Sequence, residues 1–394
     1  MTPRQRPGRL EHIAGIGVDR MGAIADTAGS NLLRLENLDV DIPPDPEAIE
    51  RTRQAASNDA DNSYLPFIGQ LSLRHAAAAH VSRLAGVEYS GERNCIITAG
   101  GLSGILNVLL ATIETGEEVV VTDPTYAGLI NRIRLAGGVP RFAALDFTPG
   151  EPWKLDRRAL EAAVSPKTRA MLLMSPSMPS GAVFDDADWA LVAELCRQHD
   201  LLLIVDSAME RLLFDQRRPF HPAGLPGMAE RTITVGSASK ELRMIGWRIG
   251  WIVASESFMP DLVAVTLANV VVPVGIGQEA AALALASSYR TLPGYVAELE
   301  RRRDLMLREL HGLPLGVPAG GWSMLLRVSD HGIDGATMSR RLLEEGVCAT
   351  PMSGWGEQHG SQYIRFVYAN EPTQRLQGVG RRVRRALHRE SKQE

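Results

Sequence analysis

The chain has 394 residues, 45% apolar and 22% charged, with a formal net charge of -4. That balance excludes a disordered polymer, and the absence of a basic excess gives no reason to expect nucleic acid or an anionic membrane as a partner. Cys95, Cys196 and Cys348 are an odd set without paired spacing, which argues against a disulfide framework and a structural zinc site.

The length predicts a large domain with a smaller companion. Met1 to Gly22 carries arginines but no continuous apolar block, so no secretory leader is expected and the cytoplasm is the expected compartment. Around Arg4, Arg6, Pro7, Gly15, Gly17 and Gly22 the periodicity is weak, and this stretch reads as an arm. From about Asn94, short apolar runs alternate with longer amphipathic ones, the pattern of strands joined by crossover helices in a mostly parallel sheet. The strand runs fall at 95–98, 119–122, 170–174, 201–205, 232–235 and 249–254. Between them, Leu102, Ile105, Leu106, Leu109 and Ile113 recur at helical spacing before Gly116, and Trp189, Val192, Ala193, Leu195 and Cys196 mark a second helix over 185–199. After Pro273 the character changes. An Ala-rich helix is expected at 278–288 and an Arg/Glu-rich one at 295–310. Strands near 323–328 and 363–367 and helices near 335–345 and 371–388 then form a smaller domain.

Lysine occurs only at 154, 167, 240 and 392, so each one is informative. Lys240 stands in Gly236-Ser237-Ala238-Ser239-Lys240, after an apolar strand and among small residues, with Arg248 eight positions on. A buried amine is suited to imine formation and a guanidinium to holding phosphate. Alone, this string reads more readily as a lysine in a surface loop. Gly100, Gly101 and Leu102 lie where a strand turns into a helix, a site for phosphate or simply a tight packing turn. Asp206 ends a strand at the carboxyl edge where open α/β sheets keep their ligands; it can pair with a pyridine nitrogen or cap the following loop. Tyr126 follows another strand and can lie against a ring or pack under a loop. His75, His80 and the other histidines show no metal-ligand spacing, and no metal is expected.

The order of these pieces, glycine turn, aromatic, Ser175-Pro176-Ser177-Met178-Pro179-Ser180-Gly181, strand-ending Asp, Ser-x-Ser-Lys and Arg, resembles the class I/II aminotransferases of fold type I from about Leu33 to Leu387. The resemblance implies an α/β fold. A large domain (45–285) would carry a mostly parallel seven-stranded sheet flanked by helices, beside a smaller α+β domain (286–394), with 1–44 as arm and part of the small domain. It also implies pyridoxal 5'-phosphate as cofactor, with Lys240 as imine lysine and proton shuttle, Asp206 as pyridine partner and Tyr126 as stacking ring. Gly100, Gly101, Leu102, Ser237, Ser239 and Arg248 would surround the phosphate. Tyr64 would reach the neighbouring site of a homodimer, Arg365 would grip the substrate carboxylate, and Asn37 would lie where the N-terminal segment closes over the substrate. The substrates implied are an amino acid and a 2-oxo acid.

Two positions depart from that pattern. Met178 stands where the family carries an asparagine, and Met209 where it carries a tyrosine; both usual residues donate to the cofactor's phenolic oxygen, and a thioether has no N–H or O–H to give. The expectation is an imine that keeps its proton to a higher pH, the alternative that both methionines only pack against the ring. The same change opens a rival chemistry on this cofactor: elimination, cyclisation or oxygen-linked decarboxylation. A ligand-sensing module without catalysis is a further alternative, disfavoured because no DNA-binding segment or basic patch accompanies the fold.

Overall fold

The computed structural model describes residues 7–13, 15–29 and 31–388, so Arg4 and Arg6 of the expected arm lie outside the described residues. Seven segments rich in Val, Ile, Leu and Thr build the main sheet. Across it run Cys95–Thr98, Gly250–Val253, Thr232–Ser237, Leu202–Asp206, Thr168–Leu173, Glu118–Asp123 and Val139–Asp146, with the two-residue Lys154–Leu155 beyond the last. Pairing is parallel except at Gly250–Val253, antiparallel to both neighbours, and at the short outer strand. The inner strands are buried along their length, which is why they read as continuous apolar runs rather than alternating ones.

Alternation still sorts the two faces. Ile96, Val119, Val121, Leu172 and Ile204 meet Ile105, Val108 and Leu109 of the helix Gly101–Thr112, and Leu129 and Ile133 of Ala127–Leu135. On the other face Val120, Met171 and Leu203 meet Trp189, Val192 and Leu195 of Asp186–Gln198. Each such side chain contributes roughly 1.5–3 kcal/mol on burial. The helix Asp186–Gln198 opens with a reciprocal cap: Asp185 accepts from the Asp188 N–H and Asp188 accepts from the Asp185 N–H.

A second, smaller layer comprises the antiparallel strands Ser323–Arg327, Tyr363–Val367 and Thr350–Pro351, with Tyr363–Val367 in the middle, and the helices Gly335–Glu344 and Val379–His388. Leu33–Arg34 pairs in parallel with Val347–Cys348, so the N-terminal segment is built into the C-terminal part.

Of the elements that differ from the sequence expectation, four are instructive. The arm contains a helix, Val18–Thr27, that buries only Met21 and Ala25, against Leu32 and Cys348, too few apolar positions to show a period. The strand Val139–Asp146 was not expected, because Pro140 and Arg141 interrupt its apolar pattern; its outer position allows them. The helices expected at 278–288 and 295–310 are one helix, Gln278–Glu309, running through Pro293. Its first half buries Ala280, Ala281, Ala284 and Leu285 against the helix Leu71–Ala85, its second Leu292, Leu299 and Met306 in the main core; packing on both sides outweighs the proline's lost N–H. The helix expected over 371–388 is broken into Thr373–Leu376 and Val379–His388 by Gly378 at φ +79°.

Candidate active site

Sheet register brings distant residues to one edge. Thr98 and Ser237 both pair with Gly250, and Asp206 pairs with Val235 two residues before Ser237. The glycine turn after Cys95–Thr98, the strand-ending Asp206 and the Ser237–Lys240 turn therefore border one cavity of about 200 Å³ at the carboxyl edge of the sheet.

At one end of the cavity stand Gly101 and Leu102, the first residues of the helix Gly101–Thr112, whose opening N–H groups have no partner within the helix. Beside them lie Ser237, Ser239 and Arg248. Gly100 has φ +92°, and a Cβ there would come within 2.6 Å of Arg248 Nη2, so the guanidinium lies directly on the glycine turn. Arg248 itself adopts left-handed backbone, φ 55° and ψ 48°, a strained conformation for a non-glycine residue, and its Nη1 donates to the Ile245 carbonyl at 2.7 Å. A helix N-terminus, two hydroxyls and a fixed arginine make a cradle for a phosphate-sized anion.

The middle of the cavity holds Tyr126, Asp206 and Lys240. Burial pushes the Asp206 carboxyl up to about 6, while the Ala208 N–H and the charges of Lys240 and Arg132 oppose that rise. Burial, and then the charge of Arg365, pull the Lys240 amine down to about 7, against Asp39 and Asp206. A lysine in that range is part neutral near pH 7 and able to act as a nucleophile. Leu38, Met174, Met178, Ala208 and Ile245 complete an apolar wall.

Arg365 lies in the central strand of the small sheet, fully buried. Its Nη2 donates to the Glu36 carbonyl at 2.8 Å and to Thr350 Oγ1 at 3.2 Å, whereas Nε and Nη1 find no acceptor among the described residues. Burial lowers its pKa to about 10, far enough above neutral to leave it a cation. A buried cation with two unused N–H groups fits a carboxylate. Its guanidinium carbon is 4.7 Å from the Trp355 ring centroid, and Trp355 in turn meets Tyr126 at 5.2 Å. The Trp355 carbonyl accepts from the Thr125 N–H at 2.8 Å and its Nε1 donates to the Ile16 carbonyl at 3.0 Å, while the loop that follows it is tied down by the Asp123 carboxylate, which accepts from the N–H groups of Glu357, Gln358 and His359.

A chain-wide comparison then decides the family: the model of aminotransferase class I and II matches residues 29–383. The chain belongs to the class I and II aminotransferases. Among its relatives, "Aromatic-amino-acid aminotransferase 2" of Thermococcus litoralis is 33% identical over 82% of this chain and 84% of its own length. The aspartate aminotransferase of Pyrococcus abyssi is 31% identical over the same shares, 82% and 84%. The solved structure of N-succinyldiaminopimelate aminotransferase from Mycobacterium tuberculosis superimposes with a TM-score of 0.90 at 30% identity, covering 97% of this chain and 100% of that one. The fold-type-I α/β architecture and the aminotransferase assignment expected from sequence are thereby established.

For this aminotransferase, the cavity brings together Gly101, Leu102, Tyr126, Met178, Asp206, Ser237, Ser239, Lys240 and Arg248 of the residues singled out in the sequence, with Gly100 supporting Arg248 from behind. Met209 does not line it but sits in the core beneath. Asn37 is half-buried next to Leu38, which does line it. Tyr64 is 84% exposed, in a separate groove with Val272 to Ile276. Sequence reading missed Trp322, Trp355 and Leu38, which come from segments without a motif; Trp322 lies 3.8 Å from Lys240 Nζ. No helix among the described residues is long and apolar enough to cross a membrane.

Proposed function

We propose that this aminotransferase moves the amino group of an amino acid to a 2-oxo acid in this cavity, with pyridoxal 5'-phosphate as its resident cofactor. The observation that carries the reading is the convergence, within one cavity, of an amine at about 7 with the anion cradle at Gly101 and Arg248, beside the buried, half-partnered Arg365. Gly101, Leu102, Ser237, Ser239 and Arg248 would hold the phosphate, and Lys240 the aldehyde end. Bound there, pyridoxal phosphate supplies an electron-withdrawing ring that makes the substrate's α-proton acidic.

The chain's own groups do the rest. Asp206 keeps a negative charge at the floor of the cavity, where it would stabilise a protonated ring nitrogen. Tyr126, backed by Trp355, would stand against the ring. Arg365 would donate through Nε and Nη1 to the substrate carboxylate, which would fix the α-carbon relative to Lys240. Lys240 Nζ, part neutral near pH 7, would take the α-proton in its neutral form and hold it for return. Leu38, Met174 and Met178 keep water from that transfer. Asn37 is proposed to reach the substrate on closure, and Tyr64 to complete the site of a second copy in a cytoplasmic homodimer.

Holoenzyme mixed with an amino acid and no acceptor tests the reading. It should release the matching 2-oxo acid in an amount equal to the enzyme and then stop until a second 2-oxo acid is added. Continuous turnover with free ammonia would overturn it in favour of elimination.

A further inference from the structure

Lys240 would spend part of each cycle free, while the substrate occupies its place, and the ammonium it becomes on taking a proton needs a partner in a buried cavity. The amine is 3.8 Å from the centroid of the Trp322 ring, and it donates to the Leu38 carbonyl at 3.3 Å. Trp322 is 1% exposed. Both sides of its backbone are tied down: Gly321 N–H donates to the Leu212 carbonyl at 2.7 Å, and the Trp322 carbonyl accepts from Tyr368 N–H at 3.0 Å. An indole face held this rigidly presents the negative side of its ring quadrupole to the amine.

We propose that Trp322 is a positioning residue for Lys240: its ring face and the Leu38 carbonyl form a seat for the released ammonium. The other charges facing the amine divide. Asp39 and Asp206 favour the cation, and Arg365 and Arg248 oppose it. With charges of both signs facing it, the amine takes its position from the ring face and the carbonyl, which touch it directly and bias how readily it gives up its proton. The inference rests on Lys240 being the cofactor-bonding lysine.

The test uses cofactor-free protein and follows the rate of covalent capture of pyridoxal phosphate against pH, with borohydride trapping and peptide mapping. In this reaction the neutral amine adds to the aldehyde carbon and water leaves, so the rate follows the neutral fraction of Lys240. Trp322→Leu should weaken proton binding at Lys240 about three- to thirtyfold, moving the half-maximal rate to lower pH by roughly half a unit to one and a half. Trp322→Phe, which keeps a ring face, should recover most of the shift. A packing role alone would change melting temperature and leave the profile in place. An unmoved profile in Trp322→Leu, or an equal shift in Trp322→Phe, overturns the proposal while trapping at Lys240 upholds the cofactor reading. Trapping at another residue overturns both.

Discussion

Arg365 shows how far a single side chain can be read. Its two N–H groups without an acceptor stand in a fork that matches a carboxylate, a geometry that a lysine ammonium lacks. Arg365→Lys should therefore lower kcat/KM for amino acids about ten- to hundredfold, the equivalent of roughly 1.5–3 kcal/mol for a lost charge-assisted hydrogen bond. Steady-state kinetics with one amino donor measures it, and unchanged kcat/KM would remove Arg365 from the substrate site. Lys240 makes a second claim, on pH. Burial lowers its pKa from 10.5 to about 7, so between those values the unfolded chain holds a proton that the folded chain does not. The contribution of Lys240 to the stability of the cofactor-free protein therefore rises with pH from about 7 toward 10, and the difference in melting temperature between the wild-type chain and Lys240→Met should move in favour of the wild-type chain across that range. Lys240, Asp206 and Arg248 were legible because a rare lysine and two strand-edge positions carry local signals. Trp322 and Trp355 were not, since only tertiary contact brings them to the site.

At the scale of elements, the phosphate cradle depends on three backbones meeting. A Cβ on Gly250 would stand 2.6 Å from Gly100 C and Gly101 N, and neither backbone can give way as a flexible side chain would. Gly250→Ala should cost about 1–3 kcal/mol and weaken cofactor binding together. Asp185→Ala, at the exposed start of a helix that does not line the cavity, should cost about 1 kcal/mol and leave cofactor affinity alone. Denaturant unfolding and cofactor titration of the two variants separate these effects, and equal losses of affinity would contradict the cradle. Elements whose burial is continuous or one-sided, such as Thr232–Ser237 and Asp186–Gln198, were legible within a residue or two. Val139–Asp146 and the passage of Gln278–Glu309 through Pro293 were not, because there neighbouring elements override the local preference.

For the whole molecule, the proposed homodimer can be tested at the exposed surface around Tyr64. Tyr64 borders Val274, and Phe67, Leu71 and Val271 are exposed as well, an apolar set that a partner subunit would cover. If Tyr64 completes the neighbouring site, mixing Tyr64→Ala chains with Lys240→Ala chains under exchange conditions should give more activity than either parent, since each hybrid holds one intact site. No gain in a confirmed hybrid would remove Tyr64 from the partner's site. Of the four lysines, Lys240 is the one that lines the cavity among the described residues. Borohydride reduction of the holoenzyme followed by peptide mapping tests it most directly: a reduced pyridoxyl group on Lys240 alone is the predicted result. A label on Lys154, Lys167 or Lys392, or no label at all, would contradict it.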